Sequence, residues 1–267
     1  MTEVKNNILV PWDFSEISEV ALLHAIELAK IGNNDITLTY VSLREKEIQE
    51  ARERLQIVSD EVNKKYNINT NIILQRGFLF KTISKIAYES HSIIVVMALS
   101  DLRKAKLTLR PSVGSKVPFL FVQSPPAHEK IKEIVVPIDY DKKNRVQLNW
   151  VIYLAKYYGC NVNIIKPFIS SNAKNELLRN NMYFAKNILD SKKIIYGIRT
   201  AKRDQNFSDA IYTFANEIDS DIIFVMSHNL KKYILKTKDA HVKSIKSKYP
   251  VLCIHPRTDL MRMVGKF

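Results

Sequence analysis

One stretch of this chain is written twice. Ile8-Leu-Val-Pro-Trp-Asp-Phe14 returns as Ile134-Val-Val-Pro-Ile-Asp-Tyr140, and Leu28-Ala-Lys30 returns as Leu154-Ala-Lys156. Both landmarks repeat at one offset, 126 residues, so the register between them holds without a gap. Later landmarks drift: Met97 matches Met226 at an offset of 129, and Pro118 matches Pro250 at 132. A chain built this way is two copies of one unit, and insertions or deletions collect between the last two landmarks. The 267 residues divide naturally into two units of ordinary domain size.

Within each copy, short aliphatic runs alternate with segments whose apolar residues recur at helical spacing. In the first copy the pattern predicts strands at Asn7–Pro11, Asp35–Ser42, 70–75, 93–98 and Phe119–Val122. Helices are expected at 16–31, Glu45–Tyr66 and 81–89, the first with Ser15 as N-cap and Gly32 as stop. The second copy predicts strands at 134–137, Asn161–Lys166, 193–198, Ile222–Met226 and 251–255. Its helices fall at 144–158, 173–191 and 207–218. Strand–helix alternation calls for a parallel sheet with helices on both faces and right-handed crossovers. The expected architecture is α/β: two tandem doubly wound parallel five-stranded sheets, packed as a pseudo-dimer. The prolines of Ser124-Pro-Pro-Ala-His128 deny both helix and ladder bonds and place the boundary between a domain at 1–124 and one at 129–258.

Charge is divided unevenly. Residues 1–128 hold 16 Lys+Arg against 14 Asp+Glu, whereas residues 129–267 hold 25 against 13. A strongly basic second copy suits an anionic partner, or equally a set of solvated lysine-rich helix faces. No apolar run approaches the ~20 residues that cross a bilayer. The first residues lead directly into a strand with no room for a signal peptide, so the expected location is the cytoplasm, away from membranes. Cys160 and Cys253 read as small buried hydrophobes rather than a disulfide or redox pair.

A buried strand ending in Val-Pro-x-Asp-(Phe/Tyr), a helix ending in Leu-Ala-Lys, and the runs Ile93-Ile-Val-Val-Met97 and Asp221-Ile-Ile-Phe-Val-Met226 together resemble the universal stress protein family. The resemblance covers nearly the whole chain, twice, as in the tandem form of that family. It implies a nucleotide site at the carboxyl ends of the strands, where open α/β sheets bind ligands. The family's acidic residue after the first strand maps onto Asp13 and Asp139, and the position after the fourth strand of the second copy is Ser227. Each aspartate can equally serve as an Asx turn or cap at a strand-to-helix junction.

The phosphate half of that site departs from the family. Nucleotide-binding members carry Gly-x-x-Gly, about nine residues, then Gly-Ser or Gly-Thr, small residues that let backbone N–H groups approach phosphate. Here the first copy shows no glycine between Met97 and Gly114, and Gly114-Ser115 stands only four residues before Pro118. The second copy shows none between Met226 and Pro250, and Lys236-Thr237 occupies the place of Gly-Ser. Trp12, beside Asp13, either fills part of the cleft or packs in the core. Lys231, Lys232, Lys236, Lys238, Lys243, Lys246 and Lys248 face a lone Asp239 in the same region. The first four of these lysines are candidates for gripping an anion as point charges.

No Walker loop, nucleophile elbow, Rossmann fingerprint or metal-ligand spacing is present, and the six histidines are scattered. The expectation is therefore a stress-response protein, not an enzyme, with degenerate nucleotide sites and no cofactor, acting through a protein partner or self-association. Two alternatives stand beside it. One is an ATP-binding signalling protein with a lysine-based phosphate grip. The other is a polyanion- or nucleic-acid-binding module working through the basic second copy.

Overall fold

The computed structural model describes residues 6–99, 108–230 and 239–257. The chain separates into two compact units, Met1–Glu129 and Lys130–Phe267. In the first unit the order is β1 (Asn7–Pro11), α1 (Glu16–Gly32), β2 (Asp35–Ser42), α2 (Glu45–Tyr66), β3 (Thr70–Arg76), α3 (Leu79–Glu89), β4 (Ser92–Ala98) and β5 (Phe119–Val122). These strands lie in the order β3-β2-β1-β4-β5, all parallel. The aliphatic run of β1 follows from that position. As the central strand, covered on both faces, it buries all five of its residues.

The second unit repeats the plan with β6 (Glu133–Pro137), α4 (Leu148–Tyr158), β7 (Asn161–Lys166), α5 (Asn172–Ser191), β8 (Tyr196–Thr200), α6 (Phe207–Glu217), β9 (Ile222–Met226), α7 (Ala240–Ile245) and β10 (Val251–Ile254). Its strands run β10-β9-β6-β7-β8, again parallel. Ile134, Val135 and Val136 are as fully buried as Ile8, Leu9 and Val10, so the doubled motif forms the middle of each sheet.

Helix ends show why the sequence stops where it does. Gly32 is the last residue of α1, and Asn33 adopts the left-handed conformation beyond it (φ 49°), with its N–H returning to Ala29 O. A Cβ on Gly32 would crowd the buried Asn34 side-chain amide and force it to shift, so a side chain there is disfavoured by space rather than by φ. Ser15 occupies the N-cap position in extended conformation, yet its side chain caps nothing and turns to Asp13 instead.

Two predicted elements are corrected. The helix expected from Asn144 begins only at Leu148, because Lys142–Gln147 form a 3₁₀ turn capped by the Asp141 side chain, which accepts from Lys143 N–H. The strand expected at 193–198 is shifted to Tyr196–Thr200. Lys193 takes a left-handed φ of 56°, and the N–H groups of residues 192–194 return to the last carbonyls of α5, so the chain is still leaving the helix there. No helix among the described residues is long and apolar enough to cross a membrane.

Candidate functional site

In each unit the chain moves outward through three strands and then crosses back to the other side of the first. The carboxyl ends of β1 and β4, and of β6 and β9, therefore flank the switch point where an open α/β sheet offers a crevice. Asp13 and Asp139 follow β1 and β6 directly, and Ser227 follows β9.

Asp13 is engaged by the turn that leads into α1. Its Oδ1 accepts from Ser15 N–H (3.1 Å), from the Ser15 hydroxyl and from the Ser18 hydroxyl (2.5 Å), while its own N–H donates to Ser18 Oγ (3.2 Å). Loss of water around the carboxyl pushes its pKa up, but these bonds to the charged form together outweigh that, and the net shift is downward. Phe14, held at a positive φ of 62°, places its ring 5.5 Å from Tyr40 and under the Arg54 guanidinium at 3.7 Å. Trp12 is only 6 % exposed, and its indole N–H meets no acceptor among the described residues.

Asp139 is buried, and its Oδ1 accepts from Asp141 N–H (2.8 Å) and from the Asn144 side-chain amide. Its backbone carbonyl accepts from Asn181 Nδ2 on α5 (2.9 Å), and Arg145 Nε donates to Asn181 Oδ1 (3.0 Å). The Arg145 guanidinium also lies over the Phe184 ring at 4.3 Å. This network ties the carboxyl end of β6, the 3₁₀ turn and α5 into one body.

Across the switch point of the second unit, His228 Nε2 approaches Asp141 Oδ2 at 2.9 Å, a hydrogen bond that becomes an ion pair when the ring carries its second proton. The loop after β6 is thereby joined to the loop after β9. Next to it, Ser227 Oγ lies 2.8 Å from Nδ1 of His255, just beyond β10. Burial lowers the His255 pKa, and the charges of His228 and Lys143 lower it further.

Of the sequence candidates, Asp139 and Ser227 are brought to the same end of the second sheet, and Asp13 holds the corresponding place in the first. Lys231, Lys232, Lys236 and Lys238 lie outside the described residues. Gly114-Ser115 forms a local turn: Gly114 has φ 86°, and the Ser115 hydroxyl donates to Val117 O (2.7 Å) and accepts from Val117 N–H. Asp141, Asn144, Asn181, His228 and His255 were not anticipated as neighbours. The carboxylate partner of His228 comes from another loop, 87 positions earlier in the chain, beyond the reach of local spacing. The rule that ligands meet carboxyl ends of strands would have drawn attention to His255, which directly follows the last strand. Among the described residues no group of three or more His, Cys, Asp or Glu side chains is arranged to hold a metal ion.

No family model and no curated protein matches this sequence. Solved structures do. A universal stress protein from Archaeoglobus fulgidus DSM 4304 is 19% identical, with a TM-score of 0.73 over 95% of this chain and 97% of that one. A functionally unknown protein from Pseudomonas aeruginosa PAO1 is 13% identical, with a TM-score of 0.62 over 98% and 96% of the two chains. A protein from Pseudomonas aeruginosa UCBPP-PA14, provisionally designated a universal stress protein, is 14% identical, with a TM-score of 0.62 over 98% and 97%. Over nearly its whole length, the chain has the fold of a two-unit universal stress protein.

Proposed function

We propose that this protein is a cytoplasmic, non-enzymatic stress-response protein of the universal stress type, with degenerate nucleotide sites, acting through contacts with other proteins. The observation that carries the reading is the use of the two site carboxylates. Asp13 and Asp139 each receive hydrogen bonds from the turn that follows them, as structural aspartates at a strand-to-helix junction do. In the second unit the Asp141–His228 bond, spanning the crevice, adds support. The missing glycines add more, since a Cβ at each such position holds phosphate away from backbone N–H groups.

The test is calorimetric titration of the full chain with Mg²⁺–ATP at two salt concentrations. No saturable heat up to about millimolar ligand, the usual range of weak binding, is the expected result. Saturable binding overturns it. Binding that collapses with salt would assign the ligand to the basic second unit, and salt-insensitive binding would assign it to Asp13 or Asp139.

A further inference from the structure

The second unit ends in a strand that is far more open than its counterpart. In the first unit α2 packs along β2 and the edge strand β3, and the apolar residues Ile72, Ile73 and Leu74 are half-buried. In the second unit α5 makes its close backbone approach to the Lys142–Gln147 turn, to which the Arg145–Asn181–Asp139 network fastens it. Four of the five residues of β8 are exposed. Ile198 is 39% exposed and Ile195, just before the strand, 83%.

The backbone of β8 is also available. In a parallel ladder the N–H and C=O of one residue face one neighbour, and those of the next residue face away. Ala201 N–H donates to Lys166 O, so Ala201, Arg199 and Gly197 address β7. The same alternation turns the N–H and C=O groups of Tyr196, Ile198 and Thr200 away from β7, and among the described residues no strand lies beyond β8 on that side.

Charge selects what can dock there. Lys192, Lys193, Arg199, Lys202 and Arg203 fall within twelve residues around β8, flanked by only two acids, Asp204 and Asp190, the latter accepting from the Tyr196 hydroxyl at 3.0 Å. Arg199 is partly balanced by Glu217 at 3.1 Å. Pairing β8 with a second copy of itself would set one net positive edge against another, which disfavours a symmetric edge-to-edge dimer. Lysine-rich edges of this kind also discourage random strand addition.

We infer that the β8 edge is the docking surface of this protein for an acidic, extended segment of a partner protein. The segment adds as a further strand through the outward groups of Tyr196, Ile198 and Thr200. Its acidic side chains face Lys193, Lys202 and Arg203, and its apolar ones cover Ile195 and Ile198. This names the surface for the protein–protein role proposed above and rests on that reading.

Fluorescence polarisation tests it directly. The full chain is titrated into a labelled eight-residue peptide alternating glutamate and valine, and into the same peptide with lysine in place of glutamate. Saturable binding of the acidic peptide alone is expected, weakening as salt rises. Ile198→Pro removes one outward N–H at an edge position that tolerates proline and should weaken binding at least tenfold. The exposed double variant Lys193→Glu/Lys202→Glu should do the same, and it keeps the test independent of how well the proline variant folds. No saturation up to about 100 µM protein, equal binding of both peptides, or binding unchanged in both variants overturns the proposal. Nucleotide titration of the same sample separates the two readings: ATP binding sinks the degenerate-site proposal while leaving the edge untouched, and peptide failure does the reverse.

Discussion

Replacing Asp139 with alanine should destabilise the second unit well beyond what Asp13→Ala does to the first. The carboxylate of Asp139 accepts from Asp141 N–H and from the Asn144 amide, and Asn144 is itself buried. A buried donor left without an acceptor costs about 1–3 kcal/mol. The Asn144 amide bears that penalty in full, and the half-exposed Asp141 N–H, which exchanges its bond for one to water, adds about 1 kcal/mol, giving a total of about 2–4 kcal/mol. Around Asp13 the donors are the N–H and hydroxyl of half-exposed Ser15, which can turn to water, and the hydroxyl of buried Ser18, which can rotate towards the Ser15 hydroxyl 3.4 Å away, so Asp13→Ala should cost about 1 kcal/mol. The chain carries one tryptophan in each unit, Trp12 and Trp150. Urea unfolding followed by Trp150 fluorescence in a Trp12→Phe background therefore reports the second unit alone. With a slope of about 1–3 kcal/mol per molar urea, Asp139→Ala should lower its midpoint by about 1–2 M. Asp139→Asn, which keeps an acceptor oxygen, should recover more than half of that. A midpoint for Asp139→Ala indistinguishable from the parent would refute the argument: the acid would then not be held for folding, and a ligand-binding role would regain ground.

Further outcomes can be checked with similar tools. His24 is buried with its ring bonded to Ser124 O at 2.9 Å, and burial depresses its pKa despite that bond and nearby Glu27. Its contribution is present above the unfolded value near 6.5 and is lost as pH falls from there through the folded value. Trp12 fluorescence in a Trp150→Phe background should show the first unit weakening below about pH 6.5, less steeply in His24→Gln. Cys160 and Cys253 are buried and joined in no disulfide, and burial pushes the Cys160 thiol up to about 12, so neither should react with a disulfide reagent at pH 8 until urea unfolds the chain. Gly159 caps α4 at φ 65° with open space around its Cβ position, so Gly159→Ala should cost about 1 kcal/mol in thermal or urea unfolding, and Gly159→Asn less.

The sheets were legible because their fully buried strands are short apolar runs with few other ways to be buried. Asn7–Pro11, Phe119–Val122 and Ile222–Met226 fall where the pattern places them. Long amphipathic α2 is also found at the expected bounds. The misses lie where local turn chemistry competes with periodicity. Asp141 caps a 3₁₀ turn in front of α4, and a left-handed Lys193 delays β8. The site was legible only in part, since Asp13 and Asp139 could be placed from sequence while their partners could not. Asn144 is five residues from Asp139, Asn181 is forty-two, and the His228–Asp141 bond joins two separate loops. Such pairings come from strand order, which the residues at each end do not encode by themselves.

The turn built on Asp139 bears on how such a chain can drift through mutation. A residue that serves both a ligand and its own backbone remains under constraint after the ligand is gone, because every replacement still has to satisfy the Asp141 N–H and the Asn144 amide. A glycine whose sole task is to admit a phosphate has no second employer and is free to change. On the reading proposed above, the acidic half of a nucleotide motif outlives the glycine half as a fossil held in place by folding. In chains of this architecture, presence of the aspartate is weak testimony about binding, and the loop after the fourth strand is the part to read.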